Sequence, residues 1–154
     1  MNLDQAEQSV WHHTLAAQGR VVARIDNDLV TECDMTLAEY EVLAALALTA
    51  PEDRLRMNEL ADLARLSPSG LTRRFDALVR RGWVVRERCD DDRRGVYARI
   101  TAEGRARLEA ARPVHDRGVR TYFLELLDAD DLDRVQRIMS TVADANAGRQ
   151  TVRS

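Results

Sequence analysis

Along the first thirty residues, apolar positions fall at Ala6, Val10, Leu15, Val22, Ile25 and Leu29, with polar residues between them. That spacing is close to the helical period and predicts one long amphipathic helix over 4–30, roughly seven turns. Thr36-Leu-Ala-Glu39 has capping-box spacing, in which hydroxyl and carboxylate each serve the other's backbone N–H, so a second helix is expected from Leu37 to about Thr49. Pro51 and the charged cluster Glu52 to Arg54 predict a turn, followed by the short segment Leu55-Arg56-Met57. Asn58 is the expected N-cap of a third helix carrying Leu60, Ala61 and Ala64. Ser67-Pro68-Ser69-Gly70 is the clearest start signal in the chain, because a proline in the first turn loses no hydrogen bond. The helix it opens should reach Arg81 and stop at Gly82. Within it, Leu71, Phe75 and Leu78 share one side, while Ser69, Thr72, Arg73 and Asp76 form another stripe, so one face enters a core and the other is left for a partner.

After Gly82 the period changes. Trp83 to Arg88 and Val96 to Thr101 are rich in β-branched and aromatic residues, and the charged stretch Cys89 to Gly95 between them predicts a hairpin with a polar tip. Thr101 should cap a helix that is bent or interrupted near Pro113 and again near Gly118. A last helix is expected after Asp128, with Asp130 and Asp131 at the positive end of its dipole and Leu132, Val135, Ile138, Met139 and Val142 along one side. The tail from Ala147 should fray. No internal repeat or low-complexity segment interrupts this order.

Length and composition narrow the class. At 154 residues, 45% hydrophobic and 32% charged, the chain has the size and balance of one globular domain rather than a disordered segment. The apolar run Leu43 to Leu48 falls far short of the roughly 20 residues a membrane span needs, and Asp4 and Glu7 break any signal-peptide pattern, so no membrane partner and a cytoplasmic location are expected. Cys33 and Cys89 lack metal-ligand spacing, and neither a disulfide framework, a metal site nor a cofactor is called for. The net charge of −3 argues at first against a nucleic-acid partner, yet all 23 basic residues are arginine and they cluster. Between Arg65 and Arg99 stand ten arginines against five acids, a local charge of +5 that leaves −8 for the rest of the chain. Binding to a polyanion depends on the local field of one face, so overall acidity is a poor guide. Arginine suits forked contacts to phosphate and guanine, although uniform arginine usage equally fits a genomic base-composition bias.

Two short helices, a proline-initiated third element and a charged hairpin suit a winged helix-turn-helix, whose second motif helix enters the major groove. The long flanking helices cannot bury both faces in a chain of this size and are expected to pair with a second copy. Two stretches are the most specific: Asp92-Arg93-Arg94-Gly95-Val96-Tyr97-Ala98-Arg99-Ile100-Thr101-Ala102-Glu103-Gly104, and upstream Ser67-Pro-Ser-Gly-Leu-Thr-Arg73, Asp76-Ala-Leu78 and Arg81-Gly-Trp-Val-Val-Arg86. With them the chain resembles, over nearly its whole length, the MarR family of bacterial transcription regulators. The first is similar to the family's wing signature, with Ile100 for the usual Leu and Ala98 for the usual Val, and the second resembles its recognition helix and exit strand. The resemblance implies a mostly α fold with a small antiparallel β wing. It divides the chain into dimerisation helices at 1–35 and 102–154 and a DNA-binding lobe at 36–101.

By the same resemblance, Pro68, Ser69, Thr72, Arg73 and Arg74 would lie in or beside the major groove. Ser and Thr at a helix start can meet phosphates together with free backbone N–H groups, and arginine can pair with guanine O6 and N7. The competing reading has Ser69 and Thr72 solvating a helix face and Arg73 in an internal ion pair. Arg93 and Arg94 would sit in the wing tip, where arginine can enter a narrow minor groove. In the family the second of these is held by an acid of the recognition helix, which maps to Asp76, and Asp92 is read as a structural partner inside the wing. Arg86 serves phosphate contact or strand support. Trp11 and His12 either line a small-molecule site between dimerisation helices and lobe, as many relatives have, or Trp11 is a core or interface residue. His115 is read as a polar residue of the dimerisation helices.

The resulting expectation is a homodimeric repressor that reads a pseudo-palindromic operator in double-stranded DNA and is released by a small aromatic or anionic effector. An enzyme is disfavoured because no Walker loop, H-E-x-x-H or nucleophile elbow is present. A winged-helix protein-interaction module without DNA binding competes with the repressor reading, as does a redox-sensing repressor using Cys33 or Cys89. In the latter, Arg88 would favour a thiolate at Cys89 and Asp90 oppose it.

Overall fold

A computed structural model describes residues 2–48, 54–88 and 96–147. The order of elements is α1 (Gln5–Cys33), α2 (Leu37–Leu48), β1 (Arg54–Arg56), α3 (Met57–Leu63), α4 (Pro68–Arg80), β2 (Val84–Arg88), β3 (Val96–Ile100), α5 (Ala102–Tyr122), a short 3₁₀ turn (Leu124–Leu126) and α6 (Ala129–Ala147).

The helix starts are set by side chains acting as caps. Asp4 and Glu7 form a reciprocal box at the start of α1. At α2 the backbone N–H and hydroxyl of Thr36 both donate to Glu39 Oε2, at 2.9 and 3.0 Å, and the Glu39 N–H donates back to Thr36 Oγ1 at 3.2 Å. Glu39 is the one buried charged side chain among the described residues, and these donors satisfy it. Asp26 of α1 accepts the Leu37 N–H at 2.7 Å, so α1 helps cap α2. Within α2, Leu37, Tyr40, Val42, Leu43, Ala45 and Leu46 are all buried, which makes this helix apolar nearly all round and central to the fold. It packs against α1, α3, α4, α5 and β3. One continuous core results, from Ile25 and Leu29 of α1 through Leu60, Leu71, Phe75 and Leu78 to Leu108 and Ala111 of α5.

Three local features differ from the sequence expectation. The segment after the turn is a strand: β1 pairs antiparallel with β3, Leu55 opposite Ala98, giving a three-stranded sheet in the order β1-β3-β2 rather than a bare hairpin. With one apolar residue in three, Arg54-Leu55-Arg56 is too short for periodicity to register; only its partner strand defines it. Second, α3 starts at Met57 and not beyond Asn58, because the Glu59 carboxylate accepts the Arg56 N–H at 3.0 Å and fixes the start earlier. Third, α5 runs unbroken through Pro113 and Gly118. Ala111, Val114 and Gly118 are buried along it, so packing on α1 and α2 offsets the hydrogen bond that proline removes. At Gly118 a Cβ would come within 3.1 Å of Ile25 Cγ1, so the bare glycine permits close approach of the two helices.

The first half of α1 and all of α6 are different in character. Val10 is 68% exposed and Ile138 57%, and Trp11, Leu15, Met139 and Val142 also face outward. Both helices therefore carry their expected apolar stripes, but the stripes are not covered by the chain itself. No helix among the described residues is long and apolar enough to cross a membrane.

Candidate nucleic-acid interface

Helices α3 and α4 make a helix-turn-helix whose turn is held by backbone bonds. Arg65 takes a left-handed conformation (φ 54°), and the next N–H, of Leu66, donates to Ala61 O at 2.9 Å, reversing the chain within three residues. Ser67 then caps α4, its Oγ accepting the Gly70 N–H at 3.1 Å, with Pro68 in the first turn. Leu71, Phe75 and Leu78 are fully buried and anchor one face. Pro68, Ser69, Thr72 and Arg73 are exposed on the other. Arg73 is exposed and makes no ion pair among the described residues. The Thr72 hydroxyl donates to Pro68 O at 2.9 Å, and Ser69 Oγ lies 3.4 Å from Ser67 Oγ. Arg74 departs from this stripe: it is half-buried and bends back to donate to Gly70 O at 3.3 Å.

The exit from α4 brings the sheet alongside. Gly82 adopts φ 74°, a left-handed turn that ends the helix, and the Trp83 N–H donates to Leu78 O at 3.0 Å. Arg86 of β2 then meets α4: its Nη2 lies 2.5 Å from Asp76 Oδ1, and its guanidinium sits 5.2 Å from the centre of the Phe75 ring. Asp76 is thus engaged by Arg86. The expected partner from the wing, Arg94, lies outside the described residues, as do Arg93 and Asp92, and with them Cys89. Elsewhere on the sheet, Arg99 pairs with Glu87, and Tyr97 lies beneath the guanidinium groups of Arg54 and Arg56, each 5.4 Å from its ring centre. Stacked and paired in this way, the arginines are held on a defined surface rather than free to collapse on nearby acids.

The lobe joins α5 through an unusually close contact. Thr101 caps α5 by accepting the Gly104 N–H at 3.0 Å, while its own hydroxyl reaches Gly82 O at 2.7 Å. A Cβ on Gly104 would stand 2.0 Å from Trp83 O, so only glycine fits there. Arg81 links the end of α4 to α1, donating to Asp34 O at 2.5 Å and stacking 4.6 Å from the centre of the Trp83 ring.

A cleft of about 420 Å³ opens between α2, α3 and α5. Its lining includes Tyr40, Glu41, Leu63, Arg65, Arg112 and His115. Tyr40 and His115 stack in parallel, ring centres 4.3 Å apart, and burial raises the Tyr40 pKa. Arg112 pairs with Glu109 at 2.8 Å, while its buried Nε has no hydrogen-bond partner among the described residues. Glu41 holds Arg65, the residue in the helix-turn-helix turn, at 2.6 Å. Sequence reasoning missed this cleft: Arg112, His115 and Asp116 share a face of α5 at recognisable spacing, but nothing local announces that α2 brings Tyr40 to them. Trp11 and His12 lie on the exposed part of α1 and are not among the residues lining this cleft. Cys33 is half-buried, and desolvation, reinforced by Glu32, raises its pKa against the opposing charge of Arg117.

Similarity to known proteins agrees with this geometry. Residues 34–95, the lobe from the end of α1 to the wing, match the model of the MarR family. The chain is 27% identical over 119 residues to the multiple antibiotic resistance protein MarR of Escherichia coli, covering 77% of this chain and 81% of that protein. It is 36% identical over 77 residues to the HTH-type transcriptional repressor YetL of Bacillus subtilis, half of this chain and 46% of that one. Sco3205 of Streptomyces coelicolor, a MarR family transcriptional regulator solved in complex with DNA, superimposes with a TM-score of 0.90 at 31% identity, covering 100% of this chain and 96% of that one. With fold, lobe and full-length similarity in agreement, the chain belongs to the MarR family of transcriptional regulators.

Proposed function

We propose that this DNA-binding transcription regulator acts as a homodimeric repressor on a pseudo-palindromic operator, with α4 of each copy in a major groove. The observation that carries the reading is the division of α4. Leu71, Phe75 and Leu78 fix it in the core, while Ser69, Thr72 and Arg73, the last without an ion pair among the described residues, stand exposed on the opposite side. Arg86, stacked on Phe75 and paired with Asp76, braces sheet against recognition helix and remains exposed enough to meet a phosphate. The full-length similarity to a Streptomyces regulator solved with DNA supports the same reading, and the similarity of half the chain to a Bacillus repressor supports repression over activation. A regulator of this kind works on the chromosome, hence in the cytoplasm, and is not a catalyst.

The uncovered apolar stripes of α1 and α6 support the homodimer. A 19-residue helix with an exposed apolar row gains too little from its own hydrogen bonds to persist alone in water, and a second copy offers the matching surface. Trp11 then belongs to this interface. The dimer sets two α4 helices roughly one DNA turn apart, about 34 Å, and anything that changes that separation weakens binding. The cleft between α2 and α5 is where we place the effector: Arg112, although paired with Glu109, keeps a buried Nε donor without a partner among the described residues, the Tyr40–His115 stack gives a flat wall, and Glu41–Arg65 a link to the turn before α4. A small planar anion fits that chemistry.

Fluorescence polarisation with duplex DNA at two salt concentrations tests the central proposal. A DNA binder loses affinity steeply as salt rises. Absence of binding at low salt would overturn it. Sedimentation equilibrium tests the dimer, and titration with a panel of aromatic carboxylates, in the wild type and Arg112→Ala, tests the cleft.

A further inference from the structure

We propose that Thr72 is a thymine reader, specifying its base through its γ-methyl group rather than through its hydroxyl. The inference rests on the DNA-binding reading of α4 and adds the base class one position recognises. Threonine at a helix surface has two groups to offer a partner. Here the hydroxyl proton is already committed to the helix, because Oγ1 donates to Pro68 O at 2.9 Å. A β-branched side chain is stiff about its first torsion, so this bond fixes the rotamer, and with Oγ1 turned back along the helix the Cγ2 methyl is the group left toward the outside. The residue is exposed and sits between Ser69 and Arg73 on the stripe opposite Leu71, Phe75 and Leu78. An apolar group presented in a major groove has one complementary feature to meet, the C5-methyl of thymine, since the other base-edge groups there are hydrogen-bond donors and acceptors. Its neighbours divide the work: Arg73, unpaired among the described residues, supplies donors, and Ser69 keeps a hydroxyl available for phosphate or base.

The test uses duplexes that the wild-type protein selects from a random-sequence pool. Each thymine of one half-site is replaced in turn by deoxyuridine, which removes the methyl and leaves base pairing intact. At one position the wild type should lose about fourfold in affinity, the factor that one buried methyl yields. Thr72→Val, which keeps the methyl and lacks the hydroxyl, should show the same penalty at that position. Thr72→Ser, which keeps the hydroxyl and lacks the methyl, should show none. A penalty retained in Thr72→Ser, a penalty lost in Thr72→Val, or selected sites without a thymine whose replacement matters would each overturn the proposal while leaving DNA binding intact. Failure of the wild type to select any sequence would overturn the DNA-binding reading itself.

Discussion

Replacing Gly104 by alanine sets two local rules against each other. Helix propensity favours the change, since alanine in a helix interior is better than glycine by up to about 1 kcal/mol, less in a first turn. Packing opposes it. The added Cβ would lie 2.0 Å from Trp83 O, 2.9 Å from Trp83 C and 3.1 Å from Ile100 Cγ1. The nearest two atoms are backbone and cannot rotate aside, so α5 must withdraw from the start of β2 by about 1 Å. Such overpacking costs about 1–3 kcal/mol. The withdrawal also strains the Thr101 bonds to Gly82 O and Gly104 N, and a lost cap adds about 1 kcal/mol. The net expectation is a destabilisation of about 2 kcal/mol. Urea unfolding followed by tryptophan fluorescence, in a Trp11→Phe background so that buried Trp83 reports, should show the midpoint falling by about 1 M, given a slope of about 2 kcal/mol per M. Protein concentration must be fixed, because pairing with a second copy would make the midpoint depend on it. An unchanged or higher midpoint would refute the close-approach argument and leave helix propensity as the governing effect.

Further outcomes follow from the same geometry. A double-mutant cycle of Asp76→Asn and Arg86→Gln, read by urea unfolding, should give a coupling of about 0.5 kcal/mol, because both side chains are over 40% exposed and water screens them; a coupling above about 2 kcal/mol would contradict that exposure. Arg73→Ala, assayed across operator variants, should relax discrimination at one base pair by about 1–3 kcal/mol if Arg73 reads a base, whereas uniform weakening assigns it to phosphate. Cys33 should react with iodoacetamide more slowly than a free cysteine at pH 8, because its raised pKa keeps it as the thiol; equal or faster reaction would refute that reasoning. Tyr40 and Tyr122 both have raised pKa values, so the folded state favours their protonated forms. The stability they contribute is full below about pH 10, the ordinary tyrosine value, and is lost as pH rises above it. Tyr122→Phe should make the alkaline fall in unfolding midpoint shallower, and an unaltered profile would count against the Tyr122–Asp28 hydrogen bond as its source.

What could be read from the sequence was whatever neighbours along the chain decide. The Thr36–Glu39 box, the Ser67-Pro68 start and the burial of Leu71, Phe75 and Leu78 depend on residues within one or two turns, and each is observed. What depends on distant partners was harder to see. Arg54-Leu55-Arg56 becomes a strand only because β3 lies beside it. Asp76 meets Arg86, ten residues on, only because the strand that follows α4 returns beside it. The cleft needs α2 and α5 to meet, which no local spacing encodes.

The position of α2 bears on how this chain can be cut. Its buried side chains belong at once to the helix-turn-helix and sheet and to the long helices that carry them, since α1 and α5 as well as α3, α4 and β3 pack on it. The two parts therefore share one interior. A fragment spanning 36–101 would lose Ile25, Leu29, Leu108 and Ala111 from its walls and open a large apolar face to water. Regulators assembled from a detachable reading head can trade that head between sensors by recombination. In this chain such an exchange would split a core, so reader and carrier are inherited, and must change, as one piece.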